Sequence, residues 1–510
     1  MGKSDSAINL LLKKFFLISL FFSYNLQAVN DKIKLDSEIN LIDFGAKGDG
    51  STDDSNAFVK AIDYAAKNKL SILNLSGNYI FNLNSKKIQL PKRIALKFSG
   101  SILKNAELVG VNSLIIADPV KIFDNINLSG NYINTKNIYV EWFGTFPNDA
   151  SSTDLSISLE KLNKVFFSIY LNKGIYYTKI GNIDLKGIEG LSPNLTFIEF
   201  DSPRNNAHLF HIGKVGGTVS ERSYENNFLK SVSLVLISKD RKISNNSLLV
   251  IGACHQAKID DVKFIANSNN TSLTSSELLS ISKDNNAKLA NAAIEFNGAS
   301  ELISFNNIFT LSDVGILFSK GTDFVNISNY TSWNGNNGLA TVYFEDPAVS
   351  NIIFSGNQSW SQGLYGIYAK NGTAYSNFVN VKFENVRIEQ LNTNIKKENK
   401  IVATSLWFGD YTYVPNLILN NIMLAGTANG IKFGKIQDGN IKLNDILVFN
   451  DFKVSKKFAI EAKFKEKGNL ELYLNNVNLA SDAPVSFENS NYNDGISRNN
   501  HFKNEVISNK

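Results

Sequence analysis

A single cysteine, Cys254, stands among the 510 residues, so no disulfide can form within the chain and its stability must come from packing and backbone ladders. No apolar run is long enough to serve as a permanent membrane anchor. The net charge of +5 comes with no basic block, which argues against a surface built for nucleic acid. No acidic cluster marks a calcium site, and nothing in the sequence requires a cofactor. Cys254 follows the apolar run Leu248 to Ile251 and reads as a small buried residue, not a nucleophile.

What is present begins with a leader. Lys13 and Lys14 precede the apolar run Phe15 to Phe22, and a polar stretch ends at Ala28. That layout predicts a secretory signal peptide over residues 1–28 and a secreted or periplasmic mature protein. Removing Lys3, Lys13 and Lys14 against Asp5 takes the charge to about +3, close to neutral.

A glycine-rich turn then runs into a capped helix: Ile42-Asp43-Phe44-Gly45-Ala46-Lys47-Gly48-Asp49-Gly50-Ser51-Thr52-Asp53-Asp54. The glycines permit positive φ, Thr52 can accept from free first-turn amides, and Asp53 and Asp54 put negative charge at the helix N-terminus. Ala57, Phe58, Ala61, Ile62 and Ala65 follow at helical spacing. A looser copy begins at Trp142-Phe143-Gly144 and continues through Thr153-Asp154 to the stripe Leu155, Leu159, Leu162 and Phe166, with a helix about one turn shorter. Both copies read as structural caps.

This motif resembles the opening of the pectate-lyase superfamily, which includes rhamnogalacturonase- and epimerase-like proteins and phage tailspike depolymerases. The resemblance implies an all-β fold, a right-handed parallel β-helix with an N-terminal capping helix, and a carbohydrate-handling protein. It does not by itself imply a reaction. On this reading residues 29–482 form the β-helix, with cap motifs at 40–81 and 138–178, and residues 483–510 form a polar tail.

From about Leu209 a two-part phrase repeats. Its first part is an apolar-x-apolar strand such as Ile294-Glu295-Phe296 or Val342-Tyr343-Phe344; its second is a strand ending in an amide or acid, such as Phe305-Asn306-Asn307. The period varies, as β-helix coils with loops of unequal length require, and the fixed spacing of leucine-rich repeats is missing. Asn307, Asn329, Asn385 and Asn421 read as a column at turns, where asparagine tolerates left-handed backbone and bonds to the next coil.

Alternation sends the middle residue of each first-part strand outward. These form a column: His211, Val250, Glu295, Leu317, Tyr343, Tyr368, Trp407 and Lys432. Asn297, Ser319, Glu345 and Lys370 come next outward, with Asp346 and Asp410 at the turn beyond. Trp333 and Trp360 are read as aligned in loops leading back to this face, joined in the following coil by Arg387 and Glu389. The resemblance implies that substrate lies along this face. Tyr343, Tyr368, Trp407, Trp333, Trp360, Glu295 and Lys432 are therefore the candidate substrate contacts, since rings offer flat faces to pyranoses and charged groups bond to hydroxyls or acidic groups. The alternative is that the outward aromatics pack only against one another and against loops, with Trp333 and Trp360 turned inward, since their equivalents in other coils are Leu311, Ala425 and Ala480.

Candidate catalytic residues are Glu345, Lys370, Asp410, Arg387 and Glu389. A hydrolase could use Glu345 and Asp410, about two coils or ~10 Å apart. A lyase needs a cation and a base, from Lys370, Arg387, Tyr368 or His211. The chain has no Asn-Thr-Asp, Gly-His-Gly or Arg-Ile-Lys motif, so the resemblance covers the fold and cap and not the polygalacturonase active site. The expected function is an exported polysaccharide lyase or glycoside hydrolase acting on a glycan that can contain uronic acids. The alternative is a non-catalytic β-helix that binds glycan or assists exopolysaccharide assembly. A polar insertion between Ala266 and Asn291 is placed to overhang the same face.

Overall fold

A computed structural model describes residues 38–133, 138–202, 205–237, 246–266, 291–334, 338–345, 348–371, 378–390, 403–426, 429–450, 459–464, 470–479 and 485–488. The expected leader, Asp346 and the 267–290 insertion lie outside them. The chain divides into two compact units, one reaching residue 118 and including 122–133, the other made of 119–121 and residues from 134 onward. The sequence reading gave one continuous domain. Each unit contains one copy of the cap motif. Among the described residues no helix is long and apolar enough to cross a membrane.

In the first unit, Leu41–Phe44 forms a 3-10 turn closed by Gly45 at φ 90°, and helix α1 spans Ser55–Lys67. The expected apolar stripe Ala57, Phe58, Ala61, Ile62 and Ala65 is buried. The cap differs in detail from expectation. Thr52 sits in a strand and its hydroxyl donates to Asp49, while Asp53 accepts from the Ser55 amide at 2.9 Å and Asp54 turns back to the Lys47 and Gly48 amides. The reason is local: a carboxylate has more acceptor capacity than a hydroxyl, so the aspartates take the free donors. The strands pair in parallel, with Ile72 beside Ala95 and Leu73 beside Leu96.

The second unit repeats the device. Val140–Phe143 is a 3-10 turn closed by Gly144 at φ 87°, and α2 (Leu155–Asn163) is capped by Asp154, which accepts from the Ser156 amide. Beyond it the strands form a right-handed parallel β-helix. Each coil contributes a first-face strand such as Ala340–Phe344, then a longer strand bent at a left-handed residue into second and third faces. The bend residues include Asn307, Asn329, Asn385 and Asn421, all near φ 50–55°. Asn421 donates to Asn385 at 2.8 Å, and Asn307 to Asp261 at 2.7 Å. Because register is kept, like residues stack inside: Phe296, Phe318 and Phe344 lie 4.7 Å apart in sequence along the axis. A last strand, Val485–Glu488, pairs with Ile460–Lys463, so strand pairing continues past residue 483, where the tail was expected to begin.

The second cap holds a buried acid. Glu141 is 1% exposed, and its Oε1 accepts from Tyr176 Oη at 2.7 Å and Asn172 Nδ2 at 3.0 Å. Burial raises its pKa above the ordinary 4.5 despite those donors. A carboxyl whose folded pKa is raised stabilises fully below its unfolded pKa and loses that contribution as pH rises through the folded value. Glu141→Gln keeps an acceptor for both donors and has no charge to bury. Thermal melts should show Glu141→Gln more stable than wild type near neutral pH, with the difference vanishing below about pH 4; a pH-independent difference would refute the account.

Candidate first-face groove

The first-face strands align residue by residue. Asp184, His211, Val250, Glu295, Leu317, Tyr343, Tyr368, Trp407, Lys432 and Glu461 occupy consecutive rungs. Flanking residues such as Ile294 and Phe296 are fully buried in the core. Alternation therefore places the column on the outer side. The five expected contacts Glu295, Tyr343, Tyr368, Trp407 and Lys432 are brought into one line.

The middle of that line is not an open platform. Tyr343 is 1% and Tyr368 7% exposed. They stack at 5.1 Å, Tyr365 stacks on Tyr368 at 4.6 Å, and Leu317, Leu339 and Leu364 complete an apolar cluster outside the β-helix core. Burial pushes the Tyr368 phenol up to about 12 and Tyr343 higher. Neither can act as a base near neutral pH. The cluster ends at Trp407, which is partly buried against it and lies 4.7 Å beneath the Lys432 ammonium. That cation–π contact caps the aromatic run with a charge.

The N-terminal end is polar. Glu295 accepts from Ser247 Oγ, Asn297 Nδ2 and Ser319 Oγ, each at 2.9 Å, which fixes its orientation. His211 lies two rungs away, about 10 Å at the strand spacing. Its ring meets His208 edge-on at 5.4 Å, and its Nδ1 is buried with no hydrogen-bond partner. Burial lowers its pKa below 6.5, partly opposed by Asp184. An imidazole that is neutral at pH 7 can take up a proton.

Other expected residues fall elsewhere. Glu345 is half-buried beyond Phe344, and its amide donates to Phe318 O; Lys370 follows Ala369 on the next rung. Asp410 Oδ1 accepts the Lys435 amide at 2.6 Å, bracing the following turn. Trp333 pairs with Ser361 and Trp360 with Ser332, so the two tryptophans face opposite sides. Trp360 is 1% exposed, packed on Phe354 and Phe383 in the core, and cannot touch a sugar; Trp333 is 56% exposed on the third face. Arg387 and Glu389 pair with Ser359 and Ser361 on that third face and form an ion pair with each other. Their strand places them away from the column. Sequence reasoning missed Ser247 and Tyr365, which sit three residues before the column positions; Ser247 bonds to Glu295 and Tyr365 packs on Tyr368.

A second polar cluster lies outside this face. Glu301 takes Arg222 Nη1 at 2.8 Å and His255 Nδ1 at 2.5 Å, and Tyr224 leans on His255 at 5.3 Å while remaining 75% exposed. Cys254 beside it is buried, which pushes its thiol up to about 12 and keeps it protonated, as expected of a packing residue.

Residues 38–163 match the family described as rhamnogalacturonase A/epimerase, pectate lyase-like, so the resemblance in the cap motif holds over that segment. Among solved structures, a tailspike protein mutant of E. coli bacteriophage HK620 in complex with a pentasaccharide is 11% identical, covering 89% of this chain and 71% of its own, with a TM-score of 0.29. DFA-IIIase from Arthrobacter chlorophenolicus A6 in complex with GF2 is 10% identical, covering 66% of this chain and 93% of its own, with a TM-score of 0.38. No curated protein matches the sequence.

Proposed function

We propose that this is an exported, polysaccharide-active enzyme whose reacting centre lies at the N-terminal end of the first-face column, around His211 and Glu295. The observation that carries the reading is the column itself: one continuous outer line that is polar at Glu295 and His211, aromatic in the middle, and cationic at Lys432. The family match over residues 38–163 supports a carbohydrate substrate. Of the groups considered from sequence, Tyr368 stays protonated and Arg387 is on another face; between Lys370 and His211 we take His211 as the base, because burial lowers its pKa below 6.5. In an elimination on a uronate, His211 would take the proton beside the carboxylate. The freed electron pair would form the carbon–carbon double bond as the glycosidic C–O bond breaks, and the leaving oxygen would gain a proton from a donor or water. Glu345 and Lys370, expected from sequence as catalytic residues, border the column on the same side as Ser319, and in this reading they serve instead as contacts for the sugar chain.

Glycan binding without turnover is the second reading, and one observation favours it: the Glu295 oxygens already accept three hydrogen bonds. Incubation with capsular, exopolysaccharide and pectic polymers separates the two. Rising ultraviolet absorbance marks unsaturated uronate ends and a lyase; new reducing ends without it mark a hydrolase; binding with neither, and no epimerised product by NMR, rejects the enzyme. In the same panel Trp407→Ala should weaken glycan binding by about 1 kcal/mol or more, because Trp407 is the ring at the margin of the cluster. Unchanged affinity would remove that end of the column from the binding face.

A further inference from the structure

A second left-handed column runs where the turn after each first-face strand meets the second face. Register places Leu302, Phe324, Asn351, Asn380 and Asn416 on successive rungs, with φ of 56°, 51°, 54°, 52° and 64°. The asparagines behave as such a site demands: Asn416 donates to Asn380 at 3.2 Å and Asn380 to Asn351 at 3.1 Å. Leu302 and Phe324 do not. Both are bulky residues held in a backbone region that penalises them, and both point apolar surface at water, 48% and 51% exposed. Neither the core nor the ladder gains from them there. Strain retained without a packing return is a mark of a binding surface.

What adjoins them has the chemistry of a sugar site. Gln256 and Asn226 occupy the two rungs before Leu302 and line a cleft of 410 Å³ with Lys230, Lys258 and Asp260. Each lysine faces a carboxylate, Lys230 with Glu189 at 2.9 Å and Lys258 with Asp260 at 3.8 Å, so the cleft carries donors and acceptors in balance and no surplus charge. Tyr224, two residues before Asn226, offers an exposed ring on a rigid support: His255 backs it, Glu301 holds His255, and Arg222 holds Glu301 while its Nε donates to Ala299 O at 2.6 Å. From Asn226 to Phe324 is three rungs, about 14 Å, more than one sugar ring.

We propose that this flank is a second glycan site, separate from the first-face column, that takes an uncharged oligosaccharide segment. Tyr224 and Phe324 supply stacking faces, and Asn226 and Gln256 bond to hydroxyls. The site stands whether or not the His211 end turns glycan over.

The test uses the full chain with uncharged tetrasaccharides of β-1,4-glucose, α-1,4-glucose, β-1,4-galactose and N-acetylglucosamine, and with tetragalacturonate as the charged arm, followed by saturation-transfer NMR and calorimetry. At least one uncharged probe should bind, and Tyr224→Ala and Phe324→Asn should each weaken it tenfold or more. Phe324→Asn should at the same time raise Tm, since asparagine accepts the left-handed backbone that strains phenylalanine; binding lost with stability gained cannot be misfolding. The proposal is overturned if no uncharged probe binds, if only tetragalacturonate binds, or if either variant keeps wild-type affinity. Should Phe324→Asn melt lower instead, the strain argument fails, and Tyr224→Ala, which removes a ring on the surface, decides the site.

Discussion

His211→Ala is expected to lower turnover roughly a hundredfold to ten-thousandfold, the span a positioned general base contributes, while glycan binding changes little. A group used in the transition state moves rate more than affinity. The pH profile gives the sharper reading. Burial depresses the His211 pKa below 6.5 and Asp184 only partly restores it, so the ring is the neutral, proton-accepting form across neutral pH. The wild-type rate should therefore be flat through neutrality and fall only as pH drops through a value under 6.5, where the ring gains its proton. Added imidazole should restore part of the lost rate in His211→Ala. Glu295→Gln, which leaves an acceptor for Ser247 or Ser319 but no carboxylate, separates a chemical role for that residue from an orienting one. A variant lacking His211 with wild-type kcat, or an acid limb that persists in it unchanged, would move the reacting centre off this end of the column.

The parts of this molecule that local chemistry decides were legible in the sequence. The paired cap motifs follow from glycine and aspartate at fixed offsets, and the Asn307, Asn329, Asn385 and Asn421 column follows from the one side chain that suits left-handed turns and bonds along a stack. Alternation also sorted inner from outer residues on the first face. It could not say whether the outer side is covered. Tyr343 is hidden because Leu339, Tyr365 and Leu364 reach it from neighbouring positions and coils, and such packing leaves no period in the chain. Leu302 and Phe324 were equally silent, since only the backbone angle shows that they occupy asparagine positions.

The tryptophans show how small a change defeats counting. Ser328 pairs with Ser355, but Thr331 pairs with Ser359, so the later coil carries one extra residue around Gly356, whose φ of 70° absorbs it. A slip of one residue turns every following side chain to the opposite face. Trp360 consequently packs between Tyr330 and Phe354, both 5.8 Å away by ring centroid, while Trp333 stands in solvent. Trp360→Ala should then cost about 3–5 kcal/mol, as deletion of a fully buried ring leaves a cavity that surrounding strands cannot close. Trp333→Ala should stay within about 0.5 kcal/mol. Trp360→Phe should fall between them, at under about 1.5 kcal/mol, because most of the volume is kept and a buried indole N–H without a partner is removed. Guanidinium unfolding followed by circular dichroism measures all three. Equal, small losses for the two alanine variants would mean that both tryptophans face water and that the coil keeps the even spacing the sequence alone suggests.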